Sequence, residues 1–309
     1  MKKLTLLALF IFGSIFSQEV VSEEILLTNY EIKLPGTLSY LENNKPQPLV
    51  IFIHGSGNID RNGNQGILSS TNYIKSFADS LNSKGIAFYR YDKRTSNADN
   101  LNLFNEISFN DLVEDAKINI DYFKKDRRFN SIHLIGHSQG SLVGMLIANE
   151  NCKTYTSLAG PGTDIGTTLI SQITAQQGDL GKATEMHITE LLTTDTIQEV
   201  NPFLMAIFQP RNQQFLKEWI LLDPIEEIKK LTLPTLIING DEDSQVKIED
   251  AKLLSASKPD AKLVIIKKMN HLLKTVEDST ENLQSYTDST FPISTELVLT
   301  VTEFIKENE

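Results

Sequence analysis

Ser138 stands at the centre of Gly136-His137-Ser138-Gln139-Gly140, between an apolar run at 132–135 and an apolar stretch at 142–148. The pattern predicts a strand, a tight turn on the serine, and a helix. That turn holds a serine hydroxyl exposed at a helix N-terminus, where it can act as a nucleophile. An ordinary serine is a poor nucleophile, so it needs a neighbouring base, and the base needs an orienting acid.

Five histidines are candidates for the base: His54, His133, His137, His187 and His271. His133 alternates with Ile132 and Leu134, as a core or edge residue would. His137 belongs to the turn, with its side chain expected to point away from the base position. His187 falls in a helical, largely polar stretch and reads as solvated. His54 precedes a glycine and belongs to a separate motif. His271, in Lys268-Met269-Asn270-His271-Leu272, follows an apolar run at 262–266 and is the expected base.

The acid is sought in Gly240-Asp241-Glu242-Asp243, after the apolar run at 235–239. A buried carboxylate here would accept the imidazole Nδ1 proton and stabilise the imidazolium. Asp241 and Glu242 compete for this role. Asp243 is favoured because the turn needs a few residues to bring a carboxylate round. The order serine, aspartate, histidine suits a strand–turn–helix nucleophile.

His54-Gly55-Ser56-Gly57 follows a further apolar run at 49–53. Small residues there free the backbone to aim amide N–H groups at one point. The Ser56 N–H is the expected donor, with Gly57 as its rival, and the Gln139 N–H at the start of the elbow helix is the second. Such a pair would hold the oxyanion formed when the serine attacks a carbonyl, at roughly 2.7 to 4 kcal/mol per donor.

These residues must be carried by strands and helices in alternation. Residues 24–42 alternate enough to suggest an antiparallel hairpin. Strands are expected at 49–53, 86–91, 132–135 and 155–158, separated by helices at 72–83, 109–124 and 141–149. Two later strands, 235–239 and 262–266, flank a helix at 248–257, and a helix at 295–306 follows. Alternation of this kind predicts an α/β fold, a mostly parallel central sheet with helices on both faces. Ligands then gather beyond the carboxyl ends of the strands, where all the candidate residues fall. Residues 160–231 break the rhythm with helical periodicity at 167–177, 183–193 and 212–222. They read as a helical cap insertion, with 18–309 as one domain. Its apolar stripe, from Phe203 through Phe208, Phe215 and Trp219 to Ile220, is expected to pack cap on core more than to touch substrate.

The motifs His54-Gly55-Ser56-Gly57 with Asp60-Arg61-Asn62-Gly63-Asn64, Arg90-Tyr91-Asp92-Lys93-Arg94, Gly136-His137-Ser138-Gln139-Gly140, Asn201-Pro202-Phe203, the 233–246 segment and Asn270-His271-Leu272-Leu273 occur in that order. Together they resemble the secreted esterase branch of the α/β-hydrolase superfamily, which is similar to serine aminopeptidase-like hydrolases. The resemblance covers most of the chain from about Leu49. It implies an α/β-hydrolase fold, a triad of Ser138, Asp243 and His271 under a helical cap, and a carboxylic ester or related acyl substrate. Two departures stand out: Asn58 where the pattern usually has proline, and Thr95 where it usually has glycine. Asp60 and Arg61 are expected to form a structural ion pair or turn.

Length and composition set outer bounds. A chain of 309 residues can build one large α/β domain. Lys2 and Lys3 before an apolar run at 4–16 read as a signal peptide over 1–17, with a secreted or periplasmic destination. The run is shorter than a spanning helix needs, so no integral membrane association is expected. A formal charge of −11 argues against nucleic acid as a partner. The single cysteine, Cys152, excludes an intramolecular disulfide and a multi-cysteine metal site. The expected chemistry calls for no metal or organic cofactor. Two other readings remain: an amide-cleaving peptidase on the same residues, and a catalytically silent binding module.

Overall fold

A computed structural model describes residues 19–43, 45–66, 69–104 and 106–309. The expected leader, 1–17, lies outside them. The chain opens with the hairpin β1 (Val20–Asn29) and β2 (Ile32–Leu41), followed by β3 (Gln47–Ile53), α1 (Tyr73–Asn82), β4 (Ala87–Tyr91) and α2 (Phe109–Phe123). Then come β5 (Phe129–His137), α3 (Gln139–Ile147) and β6 (Thr154–Leu158). Five helices precede the next strand: α4 (Ile165–Gln176), α5 (Gly178–Thr194), α6 (Met205–Phe208), α7 (Pro210–Ile220) and α8 (Pro224–Lys229). The chain continues with β7 (Thr235–Gly240), α9 (Ile248–Ser257), β8 (Lys262–Ile266), α10 (Ser279–Ser285) and α11 (Thr295–Glu307).

The strands form one sheet in the order β1-β2-β4-β3-β5-β6-β7-β8. β1 pairs antiparallel with β2, and β2 with β4; the other pairings are parallel. The alternation of apolar side chains along the strands divides the core into two layers. Leu49, Ile51 and Ile53 of β3 pack with α2, α3, α8 and α9 on one face. Val50 and Phe52 pack on the other with Tyr73, Ile74 and Phe77 of α1 and Leu297 and Val301 of α11. Each fully buried side chain of this size contributes about 1.5–3 kcal/mol. Both faces are therefore covered, as parallel strands rich in Val, Ile and Leu require.

β3 lies between β4 and β5, so the strand order reverses there. A crevice opens at such a reversal, beyond the carboxyl ends of the two strands. The segments that leave those ends are His54-Gly55-Ser56-Gly57 and the turn at Ser138. One buried and one half-buried ion pair brace the neighbourhood. Arg94, just past β4, binds both carboxylate oxygens of Asp115 in α2 at 2.8 and 2.7 Å, and Asn29 of the hairpin bonds the same carboxylate. Arg61 makes a two-pronged contact with Asp92 and also reaches Glu24. Asp60 accepts the N–H groups of Asn62 and Asn64, so this motif is a braced turn.

Between β6 and β7, α4, α5 and α7 share a small core of their own, built on Ile188, Leu191, Leu204, Phe208 and Leu216. His187 belongs to this core: it is buried, its Nε2 accepts the Asn201 N–H at 3.0 Å, and its ring meets Phe208 edge-on. The expectation of a solvated His187 is therefore wrong. The helices cover their polar side chains against one another, which the polar sequence alone does not reveal. α8 instead packs with α9 and α3 against the sheet.

Candidate active site

β5 feeds directly into the turn at Ser138, whose backbone has φ 54° and ψ −122°. Residues with a side chain rarely adopt this conformation, and it costs about 1–3 kcal/mol where the surroundings enforce it. They enforce it here. The Ser138 N–H donates to the Leu158 carbonyl at 3.0 Å, fixing the turn to β6. The first turn of α3 also presses onto the end of β3. A Cβ on Gly140 would stand 2.3 Å from the Ile53 carbonyl oxygen, so only glycine fits.

Asp243 follows β7 and His271 follows β8. His271 Nδ1 lies 2.7 Å from Asp243 Oδ2, and both side chains are buried. The other oxygen of Asp243 accepts the N–H groups of Gln245 and Val246 at 2.8 and 2.9 Å. Burial alone would raise the Asp243 pKa. The adjoining His271 ring and these two N–H groups outweigh it and hold the carboxyl below its usual range. A carboxylate there requires a proton on His271 Nδ1, which leaves Nε2 for proton exchange. Asp241 is exposed and accepts the Lys268 N–H at 2.6 Å, turned to another task. Among the described residues no hydrogen bond ties Glu242's carboxylate to His271.

Ser138 and His271 line the same cavity, about 360 Å³, together with Gly55, Ser56, Tyr73, His137, Gln245 and Tyr286. Among the described residues no hydrogen bond joins the serine hydroxyl to the His271 ring. Contacts of this kind commonly tighten only when substrate is bound. On its other side Ser138 borders a second chamber of about 680 Å³ beneath the cap. Ile165, Leu169, Ile207, Phe215, Leu216 and Trp219 give this chamber apolar walls. The cap stripe therefore divides. Phe215 and Trp219 line the chamber while Trp219 stacks on Phe109 of α2 and Phe215 packs on it at a tilt, Phe208 fills the cap core, and Phe203 is exposed. Asn58 and Thr95, where the motif departs from its usual residues, both line this chamber.

His137 is not directed away from the base. Its ring centre lies 4.8 Å from that of His271, and its Nε2 donates to the His271 carbonyl at 2.9 Å. Its Nδ1 faces the Tyr73 hydroxyl at 3.3 Å. Burial, with the His271 ring adding to it, pulls the His137 pKa down to about 3, so the ring stays neutral and positions the His271 loop without titrating. His54 is likewise held to about 3, by burial and then by Lys93, and donates to the Tyr91 carbonyl at 2.9 Å.

Ser56 and Gly57 are exposed and border both cavities. Gly55 underlies them: a Cβ there would come within 3.1 Å of Ser138 Cβ, so the Gly55–Ser56 peptide runs against the elbow. The Gln139 N–H, in the first turn of α3, has no acceptor within the helix. Lys93 was not singled out from sequence. It is buried just past β4, and its ammonium bonds the Gly55 carbonyl at 2.8 Å and Gln139 Oε1 at 2.7 Å. Its local sequence, with Arg90 inside β4 and Asp92 before it, carries no apolar pattern that would mark a buried lysine, and a lysine is rarely buried. Among the described residues no group of three or more His, Cys, Asp or Glu side chains could hold a metal ion. Likewise, no helix there is long and apolar enough to cross a membrane.

An eight-stranded, mostly parallel sheet with a serine elbow after β5 defines an α/β hydrolase. The BD-FAE family model matches residues 39–257, and the chain belongs to that family. It is 27% identical over 248 residues to esterase EstD of Thermotoga maritima, a match covering 78% of this chain and 58% of that protein's length. Among solved structures, Est1E from Butyrivibrio proteoclasticus aligns with a TM-score of 0.58 at 21% identity, over 92% of this chain and 98% of that one. The α/β hydrolase GrgF from Penicillium sp. sh18 aligns with a TM-score of 0.60 at 16% identity, over 93% and 99%. Likenesses at these identities establish the fold.

Proposed function

We propose that this chain is a secreted serine hydrolase that cleaves carboxylic esters through an acyl-enzyme. The observation that carries the reading is the buried 2.7 Å contact between His271 and Asp243, in a cavity shared with Ser138 on its elbow. Ser138 Oγ bonds to the ester carbonyl carbon as its proton passes to His271 Nε2. The carbonyl oxygen becomes an oxyanion and is held by the N–H groups of Ser56 and Gln139. Its collapse breaks the bond to the alcohol, which leaves with the proton from His271. Water then gives a proton to His271, attacks the acyl carbon, and releases the acid as Ser138 regains its hydrogen. Asp243 stabilises the imidazolium formed at each step. None of these steps calls for a cofactor.

An ester is favoured over an amide because EstD and Est1E bear the name esterase. The apolar walls beneath the cap suit an apolar acyl or alcohol group of modest size. Export rests on Lys2, Lys3 and the apolar run after them. The test is labelling with a fluorophosphonate probe, followed by turnover of p-nitrophenyl acyl esters beside aminoacyl nitroanilides. Wild type should label and Ser138→Ala should not, and the esters should turn over faster. An unlabelled wild type would mean a silent binding module, and faster anilide cleavage a peptidase.

A further inference from the structure

We propose that Lys93 is a positioning residue for both oxyanion donors, holding the Ser56 and Gln139 amides in register through one ammonium group. This rests on the hydrolase reading above, which assigns those amides their role.

The geometry begins with the Gly55–Ser56 peptide. Its carbonyl and the Ser56 N–H belong to one planar trans unit, so they point to opposite sides of the chain. Lys93 Nζ donates to that carbonyl at 2.8 Å, which fixes the direction of the N–H. A bond to the oxygen also polarises the peptide and makes its N–H a better donor. The same ammonium donates to Gln139 Oε1 at 2.7 Å, and Gln139 supplies the other amide from its own backbone. The Lys93 backbone adds a further hold, its N–H donating to the Ile59 carbonyl at 3.2 Å. One residue therefore clamps both ends of the exposed stretch Ser56-Gly57-Asn58, whose Ser56 carbonyl also accepts from Gln65 Nε2 at 3.4 Å.

Nothing else accounts for a lysine here. Among the described residues Lys93 has no carboxylate partner. Asp115, the nearest acid lining the same small cavity, is engaged on both oxygens by Arg94. The other titratable groups facing it are His54, held neutral, and the Tyr91 phenol, which burial keeps protonated. Burial pulls the Lys93 pKa down to about 7, so the interior tolerates the charge poorly. A hydrophobic residue of equal length would suit the packing better. An oxyanion forming on the Ser56 and Gln139 amides is the charge that a cation at this spot would favour.

The test is Lys93→Met, which keeps the length and removes the donor, with active sites counted by fluorophosphonate so that rates refer to folded protein. Expected is a fall in kcat per titrated site of about 10- to 100-fold with KM within threefold, the penalty for donors displaced by about an ångström. A purely structural lysine would lower the number of titratable sites but leave kcat per site within a few-fold of wild type, and that result overturns the proposal. If Lys93→Met fails to fold, Gln139→Leu removes one of the two ties while retaining the backbone amide. Its kcat per site should drop several-fold, and an unchanged value would equally overturn the idea. A wild type that takes no label defeats the hydrolase reading and this inference together, whereas an active wild type with an equally active Lys93→Met defeats this inference alone.

Discussion

His137 donates its Nε2–H to the backbone carbonyl of His271 at 2.9 Å, so the residue next to Ser138 holds the loop that carries His271. The Ser138 turn and the His271 loop arise from sequence positions far apart, and this bond ties them together independently of any substrate.

His137→Phe should therefore do two things. It keeps a ring of similar shape but leaves the His271 carbonyl without its donor, at about 1–3 kcal/mol of stability. Under the proposed reaction, the loosened His271 should also lower kcat by roughly tenfold. Urea unfolding and ester kinetics on one preparation check both, and a stability loss with unchanged kcat would limit the bond to the fold.

The same histidine should make the protein acid-sensitive. Its pKa is about 3 when folded against an ordinary 6.5. Between those values the unfolded chain binds a proton that the folded ring refuses, so stability rises with pH across the window and is lost as pH falls through it. His137→Phe should flatten the dependence by up to about 1.4 kcal/mol per pH unit. Unfolding curves at pH 6, 5 and 4 measure the slope, and identical slopes in both proteins would contradict the assignment.

Asp243→Asn and Asp241→Asn separate the two neighbouring acids. Asp243 accepts from His271, whereas Asp241 accepts the Lys268 amide at the surface. The first substitution should cut kcat by up to roughly 10⁴-fold by favouring the wrong imidazole tautomer. The second should change it little. Equal losses would undo the choice of Asp243.

Leu169→Trp should narrow the chamber beneath the cap, whose walls Leu169 shares with Phe215, Trp219 and Ser138. If the acyl group lies there, kcat/KM for p-nitrophenyl octanoate should fall at least tenfold more than for the acetate. Equal effects on both esters would place the acyl chain in the smaller cavity instead.

Much of this was legible because the signals were local. Short apolar runs such as 49–53 and 235–239, each preceded by a proline, read as strands buried on both faces, and α9 falls at 248–257 as its pattern predicts. The order of Ser138, Asp243 and His271 along the chain placed each at the end of its own strand. Long-range contacts decided what remained hidden. His187 is buried by cap helices that shield one another, and Lys93 by acceptors on two separate segments. α10 was missed because its seven residues are mostly polar and bury only Asn282 and Ser285, leaving no apolar stripe to read.

The unusual torsion at Ser138 belongs to the main chain and not to the hydroxyl. An alanine in its place inherits the same wound backbone, and only a glycine would let it unwind. Exchanging the serine for alanine thus deletes a single oxygen atom and leaves the spring loaded as before. Whatever reactivity vanishes with that exchange was the oxygen's own.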